Sequence, residues 1–199
     1  MSGVEVDARD HAQETPLHKA ARSWSAEGVR LLLENGKADA NAVNCKGRTP
    51  LHRVFEAHQT TFSTQKCNGR FAWKGEVVRE LLKADGIIVS MADSEGFTPL
   101  HLAMEKEESA AVDMLLDTGK VDIDVRNHSG VTPAQRAAAC GTVTNLRKLG
   151  ERGLMNPGSE EDLTLINMAT EKEAEVDAMH KRRWVEHEWR QVKKYGGLL

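Results

Sequence analysis

The sequence predicts an all-helical array of repeated units followed by a long C-terminal helix. Three observations lead there. The tetrapeptide TPLH occurs at residues 15–18, 49–52 and 98–101, with a degenerate copy, TPAQ, at 132–135. Each copy carries the chemistry of a helix start. Each is followed, at helical spacing, by a valine or leucine and then, in the first three units, a leucine pair. A pattern that recurs at a fixed interval of this size defines units that stack, because one unit cannot bury its own apolar face.

The threonines are 34, 49 and 34 residues apart, so the middle interval carries 15 extra residues. Five residues before each threonine stands Asp10, Asn44, Asp93 or Asn127. Two before it stands Gly47, Gly96 or Gly130, with Gln13 in the first copy. Asx side chains bond the local backbone and glycine accepts positive φ, which together specify a tight turn. Threonine caps a helix that proline opens, since the missing proline N–H has no partner in a first turn anyway. Ala20, Ala21 and Ala103 are small enough for close helix approach. Val29, Leu32 and Leu33 fall at i, i+3 and i+4, one face of a second helix, and Val78/Leu81/Leu82 and Val112/Leu115/Leu116 repeat the spacing.

This array resembles the ankyrin repeat, whose TPLHxA signature is present whole as TPLHKA and TPLHLA, over about residues 7–150. The resemblance implies, per unit, a hairpin-like turn, two antiparallel helices and a return loop, stacked into a slightly curved slab. It also implies that His18, His52 and His101 bond local backbone and the neighbouring unit, and so are structural. The domain reading is a repeat domain at 7–152 (units near 10–43, 44–92 with an insertion at 58–72, 93–126 and 127–152), a linker at 153–159 and a charged helix at 160–195. The glycine expected at the end of the first helix survives as Gly141, while Trp24 and Glu107 take its place elsewhere, so those turns are expected to differ. With the insertion removed, Trp73 aligns with Trp24, either as packing beneath the insertion or as an exposed pair that anchors a partner. Unit four, with Ala134-Gln135 and Leu149-Gly150, reads as a polar C-terminal cap.

The insertion contains Phe62, Lys66, Cys67, Arg70 and Phe71 and no acid. Two readings stay open: a loop folded on the slab edge, or a basic-aromatic contact for an acidic peptide or single-stranded nucleic acid. In the tail, residues 160–177 carry seven acids and one lysine, and residues 181–194 carry six bases and two acids, an order that complements the helix dipole. The apolar stripe is thin: Ile166, Ala169, Val176, Met179, then Val185, Trp189 and Val192. Such a helix docks on the repeats, bridges to a partner or stands alone. At least one of Trp184 and Trp189 is expected to be buried. Residues 180–183, HKRR, read as a solvated face or as a nuclear signal or phosphate contact.

Composition narrows the function classes. The chain is 199 residues, 40% hydrophobic and 29% charged, with a formal net charge of −3, too near neutral to argue for nucleic acid or a membrane surface. Residues 1–7 are acidic and lack the apolar core of a secretory segment, and no apolar run is long enough for a bilayer. Cys45, Cys67 and Cys140 lack close metal-type spacing and read as free thiols of a cytosolic or nuclear protein. No phosphate loop, nucleophile elbow or metal motif occurs, and His180 and His187 have no indicated third ligand. No catalytic residue, cofactor or metal is therefore expected.

The resemblance instead implies protein binding, through hairpin tips and the concave face made by the first helices. Those positions include His11, Glu14, Arg22, Ser23, Lys46, Arg48, Arg53, Glu56, Glu95, Phe97, Glu105, Lys106, His128 and Ser129, with Trp184 and Trp189 on the tail as further contacts. Units one and two lean basic and unit three acidic, so a partner of reversed gradient is expected. The alternatives are an assembly subunit docked through its C-terminal helix, and nucleic-acid binding by the insertion and basic tail.

Overall fold

The computed structural model describes residues 5–35, 37–56, 66–67, 70–71, 74–106, 109–155 and 160–195; side chains are described within these except at 66–67, 70–71 and 180–195. Its described residues form four helical pairs and one long helix. The pairs are α1 (Pro16–Arg22) with α2 (Ala26–Glu34), α3 (Pro50–Phe55) with α4 (Lys74–Leu82), α5 (Pro99–Met104) with α6 (Ser109–Asp117), and α7 (Pro133–Cys140) with α8 (Val143–Glu151). The long helix is α9 (Glu160–Tyr195). Inside the insertion, β1 (Lys66–Cys67) pairs antiparallel with β2 (Arg70–Phe71), a small hairpin in an otherwise helical fold.

Each first helix starts as the sequence chemistry requires. Thr15, Thr49, Thr98 and Thr132 sit at the N-cap in extended backbone, with proline in the first turn. The Nδ1 atoms of His18, His52 and His101 accept the threonine backbone N–H at 3.2, 3.1 and 3.2 Å. In unit four Gln135 Oε1 accepts from Thr132 N at 2.9 Å, so the degenerate TPAQ keeps the same reciprocal cap with an amide.

The units stack in two rows. The first helices pack α1 on α3, α3 on α5 and α5 on α7; the second helices pack α2 on α4, α4 on α6 and α6 on α8. One core runs along the seam, through Leu17, Val29, Leu51, Val78, Leu81, Leu100, Val112, Leu115 and Leu146, each no more than 1% exposed. Burial of one such leucine contributes about 1.5–3 kcal/mol, and each is covered by atoms of its neighbours in the stack. In units two and three the first leucine of the pair, Leu81 or Leu115, is buried and the second is half-buried, while Leu32 and Leu33 of unit one are both half-buried.

Two expectations are corrected. Unit four does not end the row of first helices: α9 packs on the far side of α7 and also touches α8. Ala169 is fully buried there, and Asp162, Leu165, Ile166 and Val176 are half-buried on the same side. Gly141, at the end of α7, lies against residues 172–173 of α9, and a Cβ on it would meet Glu173 N at 3.0 Å. The start of α9 shares a groove with Thr132, Ala134 and Gln135 at the start of α7. The helix therefore runs parallel to α7, like every other member of that row, and fills the place of a fifth first helix before continuing beyond α7. Met179, expected in the stripe, is 53% exposed.

The second correction concerns Trp24. Its φ is +54°, the left-handed region that Gly141 occupies at +76° in unit four, so the turn keeps its shape despite the bulky residue. The compensation is visible: the indole Nε1 donates to Val54 O at 3.0 Å, and Lys74 Nζ stands 4.7 Å from the ring centroid. The indole thus satisfies a carbonyl at the end of α3. Glu107 and Trp73 lie outside the described residues, as does residue 62 of the insertion.

Candidate protein-binding face

The buried histidines tie unit to unit. Because Nδ1 accepts from the threonine N–H, the ring proton must sit on Nε2, which donates to Arg48 O, Phe97 O and Val131 O of the following unit at 2.9, 2.9 and 3.0 Å. All three rings are fully buried. Burial holds His52 down at about 4 against an ordinary 6.5, and lowers His18 and His101 in the same direction. The protonated ring would have to face a backbone N–H with a second N–H.

The turns between units form projecting fingers. Asp10, Asn44, Asp93 and Asn127 each accept two backbone N–H groups across their own turn at 2.9–3.1 Å. Adjacent fingers are stitched together by Cys45 N to Ala12 O, Ser94 N to Lys46 O and His128 N to Glu95 O, each 3.0 Å. Gly96 is needed here, since its φ is +82° and a Cβ would meet His128 N at 2.7 Å. Above this ordered backbone the side chains of His11, Lys46, Glu95, His128 and Ser129 are exposed.

Along the first-helix row and the turns before it, many charges are consumed within the chain. Arg53 Nε lies 2.7 Å from Glu14, and Arg53 also pairs with Glu56; Glu56 pairs in turn with Arg48, whose Nε lies 2.8 Å from Asp93. Glu14, Arg53, Arg48 and Glu56 expose only 7–18% of their side chains. Burial pushes the Asp93 carboxyl up, but the Arg48 guanidinium and two backbone N–H groups outweigh it and hold the group low. A second cluster spans units three and four. Arg136 stacks 4.5 Å over Phe97 and donates to Glu105 at 3.1 Å, and Lys106 also pairs with Glu105.

The sequence-predicted contact residues therefore divide. Arg22, Ser23, Lys46 and Glu95 are exposed. Arg48, Arg53 and Glu56, with Glu14, form the internal ion-pair chain, and Phe97, Glu105 and Lys106 belong to the half-buried second cluster. Trp184 and Trp189 lie on α9, where side chains fall outside the described residues. Sequence reading missed two residues that matter to the frame. Asn145, fully buried in α8, donates to Met104 O and Lys106 O at 3.2 and 2.6 Å, and Thr142 donates to Met104 O at 2.7 Å. They satisfy the carbonyls that end α5. The only signal was a polar residue standing in the apolar period of α8.

Among the described residues no group of His, Cys, Asp and Glu is placed to hold a metal, and no helix is long and apolar enough to cross a membrane. A stacked frame, with an internal chain of ion pairs and a row of ordered tips above it, defines a helical-repeat protein. The family described as Ankyrin repeats (3 copies) matches residues 1–62 and 70–156, most of the chain, and the chain belongs to the ankyrin-repeat family. The stretch left between the two matched segments falls inside the insertion.

Proposed function

We propose that this chain is a non-enzymatic adaptor or scaffold that binds a protein partner along its finger tips and the exposed part of its concave face. The observation that carries this reading is the contrast between frame and tip. Every finger backbone is fixed by an Asx turn and by hydrogen bonds to its neighbour, while the tip side chains His11, Lys46, Glu95, His128 and Ser129 face solvent. A pre-ordered row of dissimilar side chains binds without the entropic cost of ordering loops. Arg22, Ser23, Lys46 and Glu95 are the contacts retained, with charge setting encounter rate and register. The free, exposed thiols of Cys45 and Cys140 support a reducing compartment, cytosol or nucleus.

The test is site-specific photo-crosslinking in cells. Photoreactive residues replace Lys46, Glu95 or His128 at the tips, and Arg30, Lys83 or Arg147 on the second-helix row. The tip positions should capture one discrete protein that the other row does not. Equal capture from both rows, or from the second-helix row alone, would refute the assignment.

A further inference from the structure

Helix α9 has more length than its own repeats use. Its first part, through residues 172–173, lies along α7; the remaining 22 residues, about 33 Å at 1.5 Å per residue, continue past the end of α7. Among the described residues its main packing partners in the repeats are α7 and α8. Beside its first turns lies a groove of about 500 Å³. Ile123, Leu149, Leu154, Met155 and Leu165 supply its apolar lining, and Asp124, Glu160, Glu161 and Asp162 its acids. The one base there, Arg126, donates to Gly130 O at 2.8 Å. The groove lies between the start of α9, the start of α7 and the end of α8, and Met168, 50% exposed, lies one turn further along α9.

The occupant is specified by charge. Residues 160–171 carry four acids and no base, and residues 181–194 carry six bases and two acids, a net of −4 against +4. The basic stretch cannot return to its own groove, because α9 is one continuous helix and residue 181 stands about 24 Å along the axis from Leu165. Helical register also places Val185, Trp189 and Val192 roughly 140–200° around the helix from Ala169, away from the side docked on α7. The two halves of the helix thus carry opposite charges that one continuous helix keeps apart.

We propose that two copies of this chain associate through antiparallel pairing of their α9 helices, the basic half of each lying along the acidic, groove-lining half of the other. An antiparallel pair centred near Val176 sets residues 181–192 of one copy beside residues 160–171 of its partner, so the two opposite charges coincide twice. The symmetry is isologous, as a closed dimer requires. A parallel pair would set acid against acid and base against base. In the antiparallel arrangement each partner helix lies along the acidic start of α9, and the groove closes in trans. This inference does not rest on the finger-tip reading, since it concerns α9 and the groove beside it.

Sedimentation equilibrium of the full chain, between ~1 and ~100 µM, reads the association directly. A dimer is expected that weakens as salt rises from ~0.05 to ~0.5 M. Charge reversal of the basic half (Lys181→Glu, Arg182→Glu, Arg183→Glu) or of the acidic half (Glu160→Lys, Glu161→Lys, Glu171→Lys) should weaken association at least roughly ten-fold. An equimolar mixture of the two variants should restore a dimer, which keeps the result independent of any loss of helix in one variant. Disulfide trapping fixes the direction in a chain whose own cysteines are replaced by serine: Glu161→Cys with Gln191→Cys should cross-link between copies, and Glu161→Cys alone should not. A full chain that stays monomeric throughout this range at low salt, a mixture that fails to associate, or efficient 161-to-161 cross-linking would each overturn the proposal.

Discussion

Lowering the pH from 7.5 to 5 acts on the three histidines that join unit to unit, and its effect on stability follows from their geometry. In the folded chain His52 takes its proton at about 4, while an unfolded histidine does so near 6.5. Between those values the unfolded state binds the proton and the folded state does not, so stability is complete above pH 6.5 and falls as pH drops towards 4. The full difference of about 2.5 units corresponds to about 3 kcal/mol, of which about 2 kcal/mol is gone by pH 5. His18 and His101 are shifted in the same direction and add to the loss. Asp10, Asp93 and Glu105 are shifted downwards from ordinary values of 3.8–4.5, so their contribution is lost at still lower pH and does not confuse this window. The assay is urea unfolding at pH 7.5, 6.5, 5.5 and 5, on the natural chain and on His52→Gln. Gln135 already performs the capping role in unit four, so His52→Gln keeps the cap. It loses the fixed donor to Phe97 O, about 1 kcal/mol at pH 7.5. Because it cannot take the proton, its stability should fall about 2 kcal/mol less by pH 5, and the two curves should converge or cross. A natural chain equally stable at pH 7.5 and 5, or a variant with the unaltered slope, would refute the reasoning.

Other consequences follow from single contacts. Asn145→Ala removes the donor to two buried carbonyls at the end of α5 and should cost about 2–3 kcal/mol in urea unfolding at neutral pH. Trp24→Phe keeps an aromatic ring but leaves Val54 O without the indole N–H, and should cost about 1 kcal/mol, read from the shift in thermal midpoint. Gly141→Ala places a Cβ at a positive φ and against the α9 backbone, so limited proteolysis should release α9 while the repeats remain resistant. Arg53→Glu leaves Glu14 and Glu56 facing a third carboxylate and should cost about 3 kcal/mol or more, whereas Lys46→Glu at an exposed tip should change stability by no more than about 0.5 kcal/mol.

The repeated frame was legible because local chemistry repeats there. Threonine, proline and histidine at fixed spacing dictate a capped helix wherever they occur, and Asp or Asn five residues earlier dictates the turn. The residues that depend on what stands opposite were less legible. Arg48 and Arg53 read as free charges on a concave face, because nothing in their local sequence announces that Glu14, Glu56 and Asp93, up to 45 residues away, will consume them. Trp24 read as a poor left-handed residue, since its compensation is a carbonyl of the next unit. The place of α9 was equally hidden. Its stripe is thin because one small residue, Ala169, and one glycine opposite, Gly141, are enough for close packing, and small residues carry little hydrophobic signal.

The account rests on one continuous stack in which α9 is the fifth member of the first-helix row. Native-state hydrogen exchange on the full chain tests this most directly. The amides around Leu17, Leu51, Leu100, Ala137 and Ala169 should open together with a shared free energy, while those of residues 185–195 exchange faster at concentrations too low for self-association. Amides around Ala169 that exchange as freely as the distal part of α9, with the repeats still protected, would contradict it.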